Sequence, residues 1–311
     1  MDEPATVLHA WRVRKPAVVL AATLLAAALT VLGAGPAFAA KPAPTSGSTG
    51  ADVGWPQCGT NLPTGQLFGI VNANGGTAGN FSPCLPAQYV WATSTSGTTP
   101  QGKAALYVNT ANPAGQGSWW PTSDTDRPAV GPQPYPTGAL PAGPVTYPNG
   151  GTVGCSPALG YGSTCAYVYG YVRAEQAVEW AKEQLGAGFD PKAVRWWLDV
   201  ETANTWQADT AANAASLAGA ATYLARAGSG VGVYSTTTQY RTIVGATGTA
   251  VVGLPDGERS PLIGLPEWGA GATSLKGAQS NCGVTPFTGG SITLTQYVAS
   301  GSDRDVSCRG Y

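Results

Sequence analysis

The chain has 311 residues with 16 basic and 17 acidic side chains and one histidine, a formal net charge of −1 at pH 7. It carries no run of Lys or Arg, so nucleic acid is not expected as a partner, because phosphate binding relies on clustered positive charge. The single histidine, His9, falls in a segment expected to be removed, which leaves no imidazole for Ser-His-Asp or Cys-His catalysis or for a histidine-containing zinc site.

In chain order, Arg12, Arg14 and Lys15 precede an Ala/Leu/Val run from Ala17 to about Gly35 and then Pro36-Ala37-Phe38-Ala39-Ala40. A basic start, an apolar run and a small-x-small site predict a secretory signal peptide over 1–39, followed by a linker at 40–50. The expected product is therefore an exported chain without a membrane anchor. Its length suits one large domain or two small ones.

From residue 51 onward, short apolar runs alternate with helical patterns. Strands are predicted at 51–53, 68–72 and 104–108, with a short helix at 84–92 between the last two. The stretch 114–166 is too long for an ordinary connection and is rich in Pro, Gly, Ser and Thr. It carries Trp119, Trp120, Tyr135, Tyr147 and Tyr161. Two readings stand beside each other: a lid that stacks aromatic rings on a sugar, or a surface ornament pinned by a loop between Cys155 and Cys165. Next come an amphipathic helix at 175–185, a strand at 195–200, an Ala-rich helix at 211–225 ended by Gly228 and a strand at 231–234. Beyond Thr236 the signal thins to a helix at 240–244 and strands at 265–268 and 292–297. The alternation predicts an α/β fold with a parallel sheet. No Gly-x-Gly-x-x-Gly or Walker A pattern favours a nucleotide-binding version, so a closed TIM-like β/α barrel, complete or incomplete, is preferred.

Six cysteines remain after the leader: Cys58, Cys84, Cys155, Cys165, Cys282 and Cys308. An even number in an exported chain argues for disulfides, and pairing of sequence neighbours is the simplest of the fifteen arrangements. No pair has Cys-x-x-Cys spacing, and neither metal nor cofactor is expected.

Most acids have ordinary explanations: Glu175, Glu179 and Glu183 read as a solvated helix face. Asp52, Asp199 and Glu201 differ, because each adjoins hydrophobic strand residues. In AVRWWLDVET, Asp199 and Glu201 lie two apart, so on a strand they project to the same side. Neighbouring carboxyls raise one another's pKa and keep a proton available near neutral pH, as glycosidic bond cleavage requires. The alternative is that both merely cap the strand end.

Five segments, ADVGWPQ, WWLDVE, VGVYST, LPEWGA and LTQYVASGSDRDV, together resemble the family 25 glycoside hydrolases, secreted N-acetylmuramidases on an incomplete β/α barrel. The resemblance spans residues 51–311 outside the insertion. It implies Glu201 as general acid with Asp199 assisting and Asp52 on the first strand. It places the terminal acid at Asp303, with Asp305 as a neighbouring choice. It also implies substrate contacts from Tyr107, Tyr234, Trp268, Gln296 and Tyr297. Where that family has Ser-x-Trp-Gln after the first acid, this chain has Gly54-Trp55-Pro56-Gln57, and the cysteines and the insertion are further departures. The expected protein is a secreted monomer that cleaves the β-1,4 bond after N-acetylmuramic acid in peptidoglycan. A non-catalytic glycan-binding barrel and a structural envelope protein are the alternatives.

Overall fold

A computed structural model describes residues 49–97, 99–116, 119–129, 140–141 and 143–308. The leader at 1–39, the linker up to residue 48 and Tyr135 lie outside the described residues.

Eight strands close into one barrel in sequence order: β1 (Thr49–Val53), β2 (Gly69–Asn72), β3 (Ala104–Asn109), β4 (Arg195–Asp199), β5 (Gly230–Ser235), β6 (Glu267–Ala272), β7 (Ile292–Ala299) and β8 (Ser302–Ser307). The first seven run parallel to their neighbours, whereas β8 is antiparallel to both β7 and β1. The barrel is thus closed, and among the described residues helices follow only some of its strands, so a full eightfold strand-helix repeat is not formed. Between β1 and β2 there is only a 3-10 turn at Trp55–Gln57. The helices are α1 (Leu85–Thr93), α2 (Ser163–Leu185), α3 (Thr210–Arg226), α4 (Thr237–Val244) and α5 (Leu275–Asn281).

Strand alternation divides the core in two. Trp196 and Leu198 point outward into the layer shared with the helices, while Trp197 points inward to join Phe68, Ile70, Ala105, Trp268 and Leu294. Gly232 makes room for this filling, since a Cβ there would stand 2.3 Å from the Trp197 ring. Packed rings fill the barrel interior below the carboxyl ends of the strands.

Outside the barrel, α2 and α3 touch backbone to backbone. A Cβ on Gly170 would lie 1.8 Å from the Ser216 carbonyl oxygen, and one on Gly219 would lie 2.0 Å from that of Tyr167. Helix α2 starts at Ser163, twelve residues before the predicted Glu175, because the aromatic and β-branched run STCAYVYGYV pays its helical propensity cost with packing: Cys165 to Gly170 are all buried. Asp209 caps α3, accepting from the Ala211 and Ala212 N–H groups.

The cysteines pair as sequence neighbours: Cys58–Cys84, Cys155–Cys165 and Cys282–Cys308. The described part of the insertion packs on α2. Trp119 and Trp120 stack on Tyr169 at centroid distances of 6.0 and 5.4 Å. Arg127 pairs with Glu175 at 2.7 Å. Glu175 is therefore buried rather than on a solvated face. Among the described residues, no helix is long and apolar enough to cross a membrane.

Candidate active site

An open cleft of about 210 Å³ lies at the carboxyl end of the strands. It is lined by Asp52, Asp199, Glu201 and Asp303, by Tyr107, Tyr234, Trp268 and Gln296, and by Trp55, Pro56, Asn72, Gly76 and Asn109. All four candidate acids and four of the five expected substrate contacts thus meet in one place. Tyr297 does not join them. Adjacent strand residues face opposite ways, so Gln296 enters the cleft while Tyr297 packs outside with Ala278, Cys282 and Val306.

Each acid is placed by its strand. Asp199 ends β4, and the ladder runs one residue further, with Val200 N–H donating to the Tyr234 carbonyl at 2.9 Å. That keeps the two-residue alternation through Glu201. Asp199 is 3 % exposed, whereas Glu201 is half-buried and reachable from the cleft. Behind Asp199 stands an amide relay: Asn72 donates to Asn109 at 3.2 Å, and Asn109 Nδ2 donates to Asp199 Oδ2. On the opposite wall the Tyr234 hydroxyl donates to Gln296 Oε1 at 2.8 Å, and Gln296 Nε2 donates to Asp52 Oδ2 at 3.0 Å. Gly54 has no room for a side chain, since its Cβ would fall 2.4 Å from the Tyr107 hydroxyl. A serine at this position would require that hydroxyl to shift.

Among the described residues, no basic side chain lines the cleft. Neither described ion pair, Arg127–Glu175 or Lys182–Glu179, reaches it. Burial and mutual repulsion therefore favour the protonated acids. Burial, then the charge of Asp303, pushes Asp52 up to about 7. Burial and the neighbouring Glu201 and Asp52 hold Asp199 well above the usual carboxylate range. Glu201 is raised by burial and by Asp303, against hydrogen bonds with Gln239 and Asp199. Asp303 is raised by burial. The cluster thus keeps a proton beside a solvent-reachable carboxyl. Among the described residues no group of three or more His, Cys, Asp or Glu is arranged to hold a metal ion.

These shifts predict a pH dependence of stability. In the unfolded chain the acids ionise near pH 4, while in the fold Asp52 stays protonated up to about 7, so unfolding releases a proton between those values. Stability should fall as pH rises across that window, by up to about 4 kcal/mol for Asp52 alone. Calorimetric melting of wild type and Asp52→Asn from pH 4 to 8 checks this: the variant should show the shallower slope.

Sequence reasoning overlooked Trp55, Asn72 and Asn109 as cleft residues. The two asparagines occupy inward positions of β2 and β3, and strand alternation from Ile70 and Tyr107 would have found them.

Residues 167–254 match the family model of lysozyme-like protein 1. The match covers 88 of the 311 residues, from α2 to beyond α4. It takes in Asp199, Glu201 and Tyr234 and leaves out Asp52, Trp268, Gln296 and Asp303. No curated protein and no solved structure matches the chain.

Proposed function

We propose that this chain is a secreted, lysozyme-like glycoside hydrolase of the family 25 type that cuts the β-1,4 bond after N-acetylmuramic acid in peptidoglycan. The observation that carries this reading is the meeting of Asp52, Asp199, Glu201 and Asp303 in one open cleft from three separate strands' ends. The lysozyme-like match over the Asp199–Glu201 segment supports it independently.

Glu201 is the acid, because it combines a raised pKa with access to the cleft. Its proton passes to the glycosidic oxygen as the C1–O bond breaks. Asp199, fixed by Asn109, orients water or the substrate acetamido group. As Asp52 ionises above about 7, it joins Asp303 in surrounding the sugar with negative potential as positive charge develops on its ring. The water oxygen then bonds C1, and its proton returns to a carboxylate of the cluster.

Trp55, 55 % exposed at the rim, offers a flat indole to a pyranose ring. The Cys58–Cys84 disulfide and the bond from Gly54 N–H to Gln57 Oε1 hold its turn in place. Trp55→Ala should raise KM for soluble glycan strands about tenfold with little change in kcat, as expected for loss of roughly 1.4 kcal/mol of uniform binding. Steady-state kinetics on size-fractionated strands measures both.

The reading itself is tested by incubating residues 40–311 with purified peptidoglycan and following soluble fragments beside a pull-down with the insoluble polymer. Cleavage products are expected. Retention on the polymer without any release would favour a glycan-binding barrel instead.

A further inference from the structure

Asp305 takes no part in the proton transfer proposed above. It sits on β8 two residues from Asp303, so both point into the barrel while Arg304 between them alternates to the other side. Asp305 is fully buried, at 0 % exposure. Its Oδ1 accepts from Trp268 Nε1 at 2.8 Å. No protein N–H or O–H serves its Oδ2 among the described residues, and the side chain it meets is the carboxyl of Asp52. Asp52 is nearer the solvent and already receives the Gln296 amide at 3.0 Å.

Two carboxyls in contact, with no basic side chain among the described residues lining their cleft, cannot both be anions. A proton held between them satisfies the orphan oxygen. It belongs on Asp305, since that group is the deeper of the two, at 0 % against 9 % exposure, whereas Asp52 reaches the cleft and has the Gln296 amide to support a charge. Burial, then the charge of Asp52, raises Asp305 well above the usual carboxylate range, in keeping with this assignment.

We infer that Asp305 is a positioning residue, a neutral carboxylic acid that donates to Asp52 and accepts from Trp268, and so fixes the carboxylate and the indole that form two walls of the cleft. The groups facing it are Asp52 on β1, Trp268 on β6, Gln296 directly opposite on β7 and Asp303 on its own strand. For turnover the inference rests on the function proposed above; for protonation it does not.

An amide can copy a neutral acid here, since its N–H group serves Asp52 and its carbonyl serves Trp268. Asp305→Asn is therefore expected to retain wild-type kcat/KM on peptidoglycan strands. It should also flatten the fall of melting temperature with rising pH, and remove an infrared carbonyl band of a protonated carboxyl that wild type keeps at neutral pH. Asp305→Leu, with the same branched heavy-atom skeleton but without donor or acceptor, should lose about tenfold or more in kcat. An Asn variant as impaired as the Leu variant would overturn the inference, as would a wild type with no such band at neutral pH. If wild type cleaves no glycan, the proposed function fails, and the band and the pH slope still decide the state of Asp305. If the Leu variant does not fold, the Asn variant decides through the same two readouts.

Discussion

Replacing Glu201 with glutamine is expected to lower peptidoglycan turnover about 10³-fold, the middle of the range attributed to a positioned general acid. The substitution keeps the side chain's size and its capacity to hydrogen-bond with Gln239 and Asp199, but it removes the only proton that a half-exposed acid of the Asp199–Glu201 pair can deliver into the cleft. Binding should survive, because the aromatic lining of Tyr107, Tyr234, Trp268 and Trp55 is untouched. The fold should survive too, and melting at neutral pH should be unchanged or slightly higher, since an amide needs no desolvation of charge. Release of new reducing ends, measured with a pull-down on the same sample, separates loss of chemistry from loss of binding. Turnover at the wild-type level would remove Glu201 from the acid's role.

The largest effect on stability should come from far outside the cleft. Gly170→Val places branched methyl groups where a single Cβ would already stand 1.8 Å from the Ser216 carbonyl oxygen, and the obstacle is helix backbone rather than a side chain that can turn away. Relief requires α2 and α3 to separate, which opens the buried layer between them, including Tyr167, Ala215, Leu217 and Val168. A cost of more than about 3 kcal/mol follows, beyond ordinary overpacking, with a fall in melting temperature of about 10 °C or outright failure to fold. Gly188→Ala is the control, because its Cβ meets nothing within 4 Å at an exposed position. Its melting temperature should remain at the wild-type value. Equal behaviour of the two variants would mean that the helices do not cross at Gly170.

The parts of the fold legible in the sequence are those where one face is apolar and the other is not. WWLD declares β4, and its alternation sends Trp197 and Asp199 inward together. The two-residue step from Asp199 to Glu201 was readable for the same reason. β8 was not readable. Its inward positions carry Asp303 and Asp305 rather than apolar residues, so SDRDVS has the composition of a loop, and only closure of the barrel against β7 and β1 makes it a strand. The early start of α2 was hidden because STCAYVYGYV looks strand-like until Gly170 and Gly219 bring two helix backbones together. Glu175 looked solvated because its partner Arg127 lies 48 residues away, inside the insertion. Among the described aromatic residues of the insertion, Trp119 and Trp120 stack on Tyr169, Tyr147 packs on Tyr167 and Tyr161 on Trp120, and none lines the cleft. Tyr297 was assigned to the cleft by its place beside Gln296 in the family motif, which strand alternation alone would have argued against.

The most direct measurement is the identity of the sugar at the new chain end. Purified peptidoglycan is digested with residues 40–311, the products are reduced with borohydride, and the resulting sugar alcohols are quantified. New ends on N-acetylmuramic acid that appear with wild type and vanish with Glu201→Gln are the predicted result. A folded wild-type protein that creates no reducing ends, or creates them on N-acetylglucosamine, would contradict it.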